Sequence, residues 1–211
     1  IKDDLSNVDS YLLVIKNRKI LYKLLSNADL QYEDSYIQIL DENYKELKVS
    51  DYIDFVTSVI NLDANSKKNL NVLLRRIKKE ENEVLIKTSN EINKKLEECA
   101  KQIKLSSPIN IFCDIDLDED DVIKMLGISL QDDSPNLVER INNYINVSFE
   151  LRNIKIFIFY NLLAFLDESE LDLLVRANKY NGIKIIDIEN VEYKTDIFDH
   201  IKILDEDICV I

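Results

Sequence analysis

The chain has 211 residues, 46% apolar and 32% charged, which suits one large domain or a core with an appendage. Only two glycines and two prolines occur, which argues against an all-β fold, and Gly127 and Gly182 cannot build a glycine-rich phosphate loop. A net charge of −13 opposes any polyanionic partner unless the charge is unevenly spread.

In chain order, residues 1–10 form a polar edge segment or incomplete strand, and 11–15 a short apolar strand. Residues 17–27 read as a helix with Ile20, Leu21, Leu24 and Leu25 on one face. Tyr36, Ile37, Ile39 and Leu40 suggest another strand before a polar turn at 41–45. Ser50 is placed to cap a helix carrying Ile53, Phe55, Val56, Val59 and Ile60. From 66 to 105 the pattern is helical throughout, with Leu70, Leu73, Leu74 and Ile77 on one stripe and Ile92, Leu96, Cys99 and Ile103 on another. The polar run 78–83 between them predicts a bend, and so a helical hairpin or one long bent helix. Pro108 ends this stretch. Residues 109–115 lead into an acidic run, then a short helix at 122–126 closed by Gly127, and a strand at 128–130. Ser134 with Pro135 opens a further helix carrying Leu137, Ile141, Tyr144, Ile145 and Phe149.

The stretch 153–190 decides the fold class. Ile154 and Ile156 to Tyr160 make a nearly continuous apolar run, as expected of a strand covered on both faces. Asp167 and Glu170 have capping-box spacing ahead of a helix with Leu171, Leu174 and Val175. Asn181-Gly182 ends that helix, and Ile183, Ile185, Ile186 and Ile188 make a second strand. Strand, crossover helix and strand form a βαβ unit with parallel strands. Residues 201–204 and 208–211, around Asp205-Glu206-Asp207, are predicted to pair as a terminal hairpin. The expected architecture is an α/β head (1–64 and 106–211) with a mainly parallel sheet, plus an α-helical leg (65–105).

The charge is segregated. Residues 66–105 hold eleven basic and six acidic side chains, a balance of +5, which leaves −18 for the rest. Lys67, Lys68, Arg75, Arg76, Lys78, Lys79 and Lys87 lie in this stretch and form either a cationic surface or a solvated, self-paired helix face. The acidic run offers Asp114, Asp116, Asp118, Glu119 and Asp121. Its D-x-D-x-D start resembles an EF-hand loop, but Glu119 stands where glycine is needed and Met125 where a bidentate glutamate is needed. Hard oxygen donors this close suit Ca²⁺, or they form a solvated loop capping a helix. The order of the βαβ unit is similar to the Walker-B half of an ATP-binding-cassette domain. Its strand runs into Tyr160-Asn161, however, without a carboxylate for Mg²⁺. His200, the single histidine, has no Ser or Cys partner arranged for nucleophilic work, and no catalytic constellation is present. Cys99, Cys113 and Cys209 are odd in number and widely spaced, as expected of reduced thiols in a cytosolic protein. No apolar run approaches the roughly 18 residues of a membrane span.

Four segments in this order resemble a known family: FVTSVINLDANS (55–66), VIKMLGISL (122–130), KIFIFYNLLAFLDESELDLL (155–174) and ILDEDICVI (203–211). The chain resembles the CRISPR-associated adaptation proteins of type II-A systems, the Csn2 family. The resemblance implies a cassette-ATPase-like head without nucleotide chemistry, and a helical leg. It further implies a cytoplasmic, non-enzymatic homotetrameric ring that binds Ca²⁺ and, in a calcium-dependent and sequence-non-specific way, threads double-stranded DNA, preferring ends, during spacer acquisition beside the integrase and the effector nuclease. On that reading the basic leg residues face DNA and the acidic run holds calcium. The rival expectations are a degenerate cassette-type NTPase and a helical scaffold that docks a protein partner.

Overall fold

The computed structural model describes residues 8–26, 37–41 and 43–210. Its elements run β1 (Ser10–Ile15), α1 (Arg18–Ser26), β2 (Ile39–Leu40), β3 (Glu46–Leu47), β4 (Ile53–Val56), α2 (Lys67–Glu80), α3 (Asn82–Ser106) and α4 (Glu119–Leu126). They continue through α5 (Leu137–Arg152), β5 (Ile156–Tyr160), α6 (Glu168–Tyr180), β6 (Lys184–Glu189) and β7 (His200–Leu204). The chain divides into two units, Ile1–Ala64 with Asp132–Ile211, and Asn65–Gln131.

In the first unit five strands make one sheet in the order β4-β5-β6-β1-β7, and every neighbouring pair is parallel. The fold is α/β, as the βαβ pattern predicted. Alternation along β5 explains why its sequence is apolar throughout. Phe157 and Phe159 point to the face covered by α5 and α6, with Leu12, Ile141, Ile145, Leu171 and Leu174. Ile158 points to the other face, with Ile15, Leu21, Ile53 and Ile188. The capping box at α6 is formed: Asp167 Oδ1 accepts from the Glu170 N–H at 2.9 Å, and Glu170 Oε2 accepts from the Asp167 N–H at 3.0 Å.

The structure corrects four expectations. Residues 53–56 are a strand, preceded by a 3₁₀ turn at Val49–Asp51, rather than a helix capped by Ser50. Ile53 faces one side of the sheet and Val56 the other, a pattern that short apolar runs share with helices. Residues 128–130 pair with no strand. The Asn65 side chain instead holds Leu130, its amide donating to the Leu130 carbonyl at 3.0 Å and its carbonyl accepting from the Leu130 N–H at 2.7 Å. α5 is capped by Asn136, whose Oδ1 accepts from the Glu139 N–H at 2.9 Å, while Ser134 donates its hydroxyl to Asp132. The terminal hairpin reduces to one antiparallel bridge, Leu204 to Val210, because β7 is drawn into the large sheet beside β1. The expected segments 1–10 and 36–40 lie partly outside the described residues.

The second unit is helical and runs on to Gln131, so 106–131 group with α2 and α3 rather than with the sheet as the sequence division had them. The physical reason is α4, whose Val122 and Ile123 pack against Leu74, Leu85 and Ile92. Asn93 pins the chain ahead of α4, donating to the Leu117 carbonyl and accepting from the Leu117 N–H, each at 3.0 Å. The predicted bend between α2 and α3 falls at Glu81.

Candidate nucleic-acid interface

α2 opens on Ser66, whose hydroxyl accepts from the Asn69 N–H at 3.4 Å. The helix then carries six cations and one carboxylate. At about 100° per residue, Leu70, Leu73, Leu74 and Ile77 gather on one side and the six cations spread over the other half. Lys67, Lys68, Arg75, Arg76 and Lys79 are exposed. Lys78 is half-buried and donates to Asp120 at 2.7 Å, a bond that holds its ammonium above the usual lysine range. Lys78 is thus engaged with the acidic run. Lys87 on α3 is exposed and lies 4.0 Å from Glu91, a loose pair that leaves the ammonium available. The result is a cationic helix face of long side chains. Such a surface suits phosphate oxygens, and nothing in it presents the fixed donor–acceptor pairs that read bases.

The acidic run is organised as a helix start. Asp118 Oδ1 accepts from the Asp121 N–H at 2.9 Å and Asp121 Oδ2 from the Asp118 N–H at 3.3 Å, a capping box at the positive end of α4. Asp121 also receives Lys124 Nζ at 3.0 Å. That contact, followed by the Asp118 N–H, holds its carboxyl below the usual range. Asp114 and Asp116 are exposed in the preceding coil, and Glu119 lies half-exposed in the first turn of α4. Among the described residues no three His, Cys, Asp or Glu side chains gather as a metal-holding group. As placed, the five expected calcium ligands do not form a coordination sphere: the cap and Lys124 engage Asp118 and Asp121, and Asp114, Asp116 and Glu119 do not join them.

The turn from β1 to α1, where a P-loop would sit, is only Lys16-Asn17. Asn17 Oδ1 accepts from the Lys19 and Ile20 N–H groups at 3.1 Å each, and Asn17 Nδ2 donates to the Glu206 carbonyl at 2.7 Å. The helix end that would meet a phosphate is occupied by its own cap.

The CRISPR-associated protein family Cas_Csn2 matches residues 31–208. The chain belongs to the Csn2 family. Among solved structures it is similar to Stu0660 of Streptococcus thermophilus, at 15% identity, covering 94% of this chain and 70% of that one with a TM-score of 0.59. At that identity the likeness shows the fold. No curated protein matches. Membership gives this Csn2-family chain a CRISPR-associated role, and no helix among its described residues is long and apolar enough to cross a membrane.

Sequence reasoning missed two buried groups of this Csn2-family chain. The first joins Asp54 of β4 to α5: Tyr144 donates its hydroxyl to Asp54 Oδ2 at 2.6 Å, and Arg152 pairs with the same oxygen. Burial, then the Asp54 charge, pushes the Tyr144 hydroxyl far above its ordinary value. The second is Asp187 and Glu189, wholly buried near the end of β6 beside the end of β5. Sequence inspection sought a carboxylate at the end of the Walker-B-like strand, and the structure supplies two from its neighbour. The available signal was the alternation in KIIDIE, which puts both acids on the face shared with Ile185.

Proposed function

We propose that this Csn2-family chain binds double-stranded DNA without reading its sequence, through the α2 face, during CRISPR spacer acquisition. It does so in the cytoplasm, with no catalytic step of its own, as a homotetrameric ring that encloses DNA ends and works beside the integrase and the effector nuclease. The observation that carries this reading is the cationic half of α2 in a chain whose net charge is −13. Self-association is supported by apolar side chains of the helical unit left at the surface, with Phe112 85% and Leu105 81% exposed. The NTPase alternative is opposed by the Asn17-capped turn.

Calcium enters this proposal as an ion that must compete with Lys124 for Asp121. DNA binding is not routed through it.

The test is a gel shift of linear against closed circular DNA over a salt series, with calcium and with chelator. Linear DNA is expected to bind more tightly. Log affinity should fall by about 0.9 per unit of log salt for each phosphate contact. Replacing Lys67, Arg75, Arg76 and Lys79 by Ala should weaken binding to all sequences alike and flatten that slope. Wild-type affinity and slope in this variant would overturn the interface. A light-scattering mass near the 24.7 kDa of one chain, rather than about four times that, would overturn the ring.

A further inference from the structure

Asp187 and Glu189 are independent of the DNA surface and have an unsolved electrostatic problem. One oxygen of each is held by main chain: the Leu162 N–H donates to Asp187 Oδ1 at 3.1 Å, and the Leu163 N–H donates to Glu189 Oε1 at 2.9 Å. The other oxygens, Asp187 Oδ2 and Glu189 Oε2, are buried without a donor. Both side chains have no solvent exposure. Two buried carboxylates on adjacent same-face positions cannot both stay ionised without a counter-charge.

Among the described residues none is set against them. β1 sets Leu12 and Val14 beside them, and β5 sets Phe159 beside Asp187. The 3₁₀ turn Leu162–Ala164 offers main-chain N–H groups, while Tyr160, level with Ile188, lies on the opposite face. The further titratable group in their field is Tyr193, whose hydroxyl is pushed up by burial and then by the charges of Glu189 and Asp187. None of these groups is cationic.

We propose that Asp187 and Glu189 hold one shared proton in the folded protein, and that this proton locks the Leu162–Ala164 turn onto the end of β6. With the proton in place, one orphan oxygen donates to the other and all four oxygens are satisfied. Without it, two like charges face each other in an apolar shell, and the turn can relieve them only by letting water in. The C-terminal ends of parallel strands are where open α/β sheets take their ligands. Here a proton closes that edge.

Burial holds the Asp187 carboxyl well above its ordinary value, and the charge of Glu189 adds to this. Burial raises Glu189 as well. Folding therefore takes up a proton. The stabilisation is fully present below the ordinary carboxylate range and is lost as pH rises through the folded value of the pair.

The experiment follows thermal unfolding of the full chain from about pH 5 to about pH 9 for wild type, Asp187→Asn and Glu189→Gln, with side-chain carboxyl carbon NMR of the wild type. Wild type should melt at lower temperature as pH rises, and one Asp or Glu carboxyl carbon should keep its protonated signature at neutral pH. Asp187→Asn supplies a permanent N–H donor to Glu189 and should flatten the pH dependence. Carboxyl carbons that are all ionised at neutral pH would overturn the proposal, whether or not the variants fold. So would a folded Asp187→Asn with the wild-type slope. A divalent cation that raises the wild-type melting temperature, an effect lost in Asp187→Asn, would put a metal in place of the proton and equally overturn it.

Discussion

In the sheet unit Phe157, Phe159, Leu171 and Leu174 are fully enclosed, whereas the core cluster of the helical unit is built on Leu85, Val122 and Ile123. The sheet buries apolar residues on both faces and encloses a few polar ones, such as Asp54 with Tyr144 and Arg152. The helical unit keeps Ile103, Leu105, Ile109, Phe112, Met125 and Leu126 at its surface beside a cationic helix. The sheet unit holds the larger enclosed core, and the helical unit sets exposed aliphatic side chains and Phe112 around a thin one.

The largest effect that would sharpen this contrast is in the sheet. Phe157→Ala should lower stability by about 3–5 kcal/mol in urea unfolding, since a fully enclosed ring leaves a cavity that cannot collapse. Arg152→Met should lower it by about 3 kcal/mol by weakening the compensation of buried Asp54. Leu85→Ala should lower it by about 2 kcal/mol, because a thin cluster relaxes more easily. Equal losses for Phe157→Ala and Leu85→Ala would break the comparison. Asn136→Ala removes the α5 cap and should lower stability by about 1 kcal/mol, with far-UV circular dichroism as the readout. Lys87→Ala should change stability least, within about 0.5 kcal/mol, while still weakening DNA binding if the cationic face extends onto α3.

The βαβ unit was legible because each signal agreed: a doubly covered strand, a capping box, and glycine at the helix end. β4 was not, because Ile53, Phe55, Val56, Val59 and Ile60 fit a helical stripe as well as a strand. Only pairing of Phe55 with Ile158 separates the two. The cationic stretch could be read from sequence, but its selection could not. Lys78 looks like Lys79 until Asp120, far along the chain, takes it. The acidic run looked like a ligand set because spacing shows proximity but not occupation; Asp118 and Asp121 bond to each other's backbone. Asp187 and Glu189 drew no reading from the sequence, where the strand was recognised by its isoleucines alone. Their burial depends on α5 and α6 covering the same face, which no local pattern records.

Asn65 and Asn93 each offer a main-chain group the donor–acceptor pair that a neighbouring strand would have offered. These two clasps bracket the segment from Leu117 to Leu130, which contains α4. In hydrogen-exchange terms the segment has latches rather than a ladder. Opening both exposes its amides together, and opening one leaves the other to guide reclosure. An aspartate at either position, made by mutation or by slow deamidation, would keep the shape but turn the donor into a second acceptor facing a carbonyl. The amides of α4 would then exchange early while those of β5 stayed protected. Chemical ageing at a single side chain would thus register as local breathing of the segment that carries the acidic run.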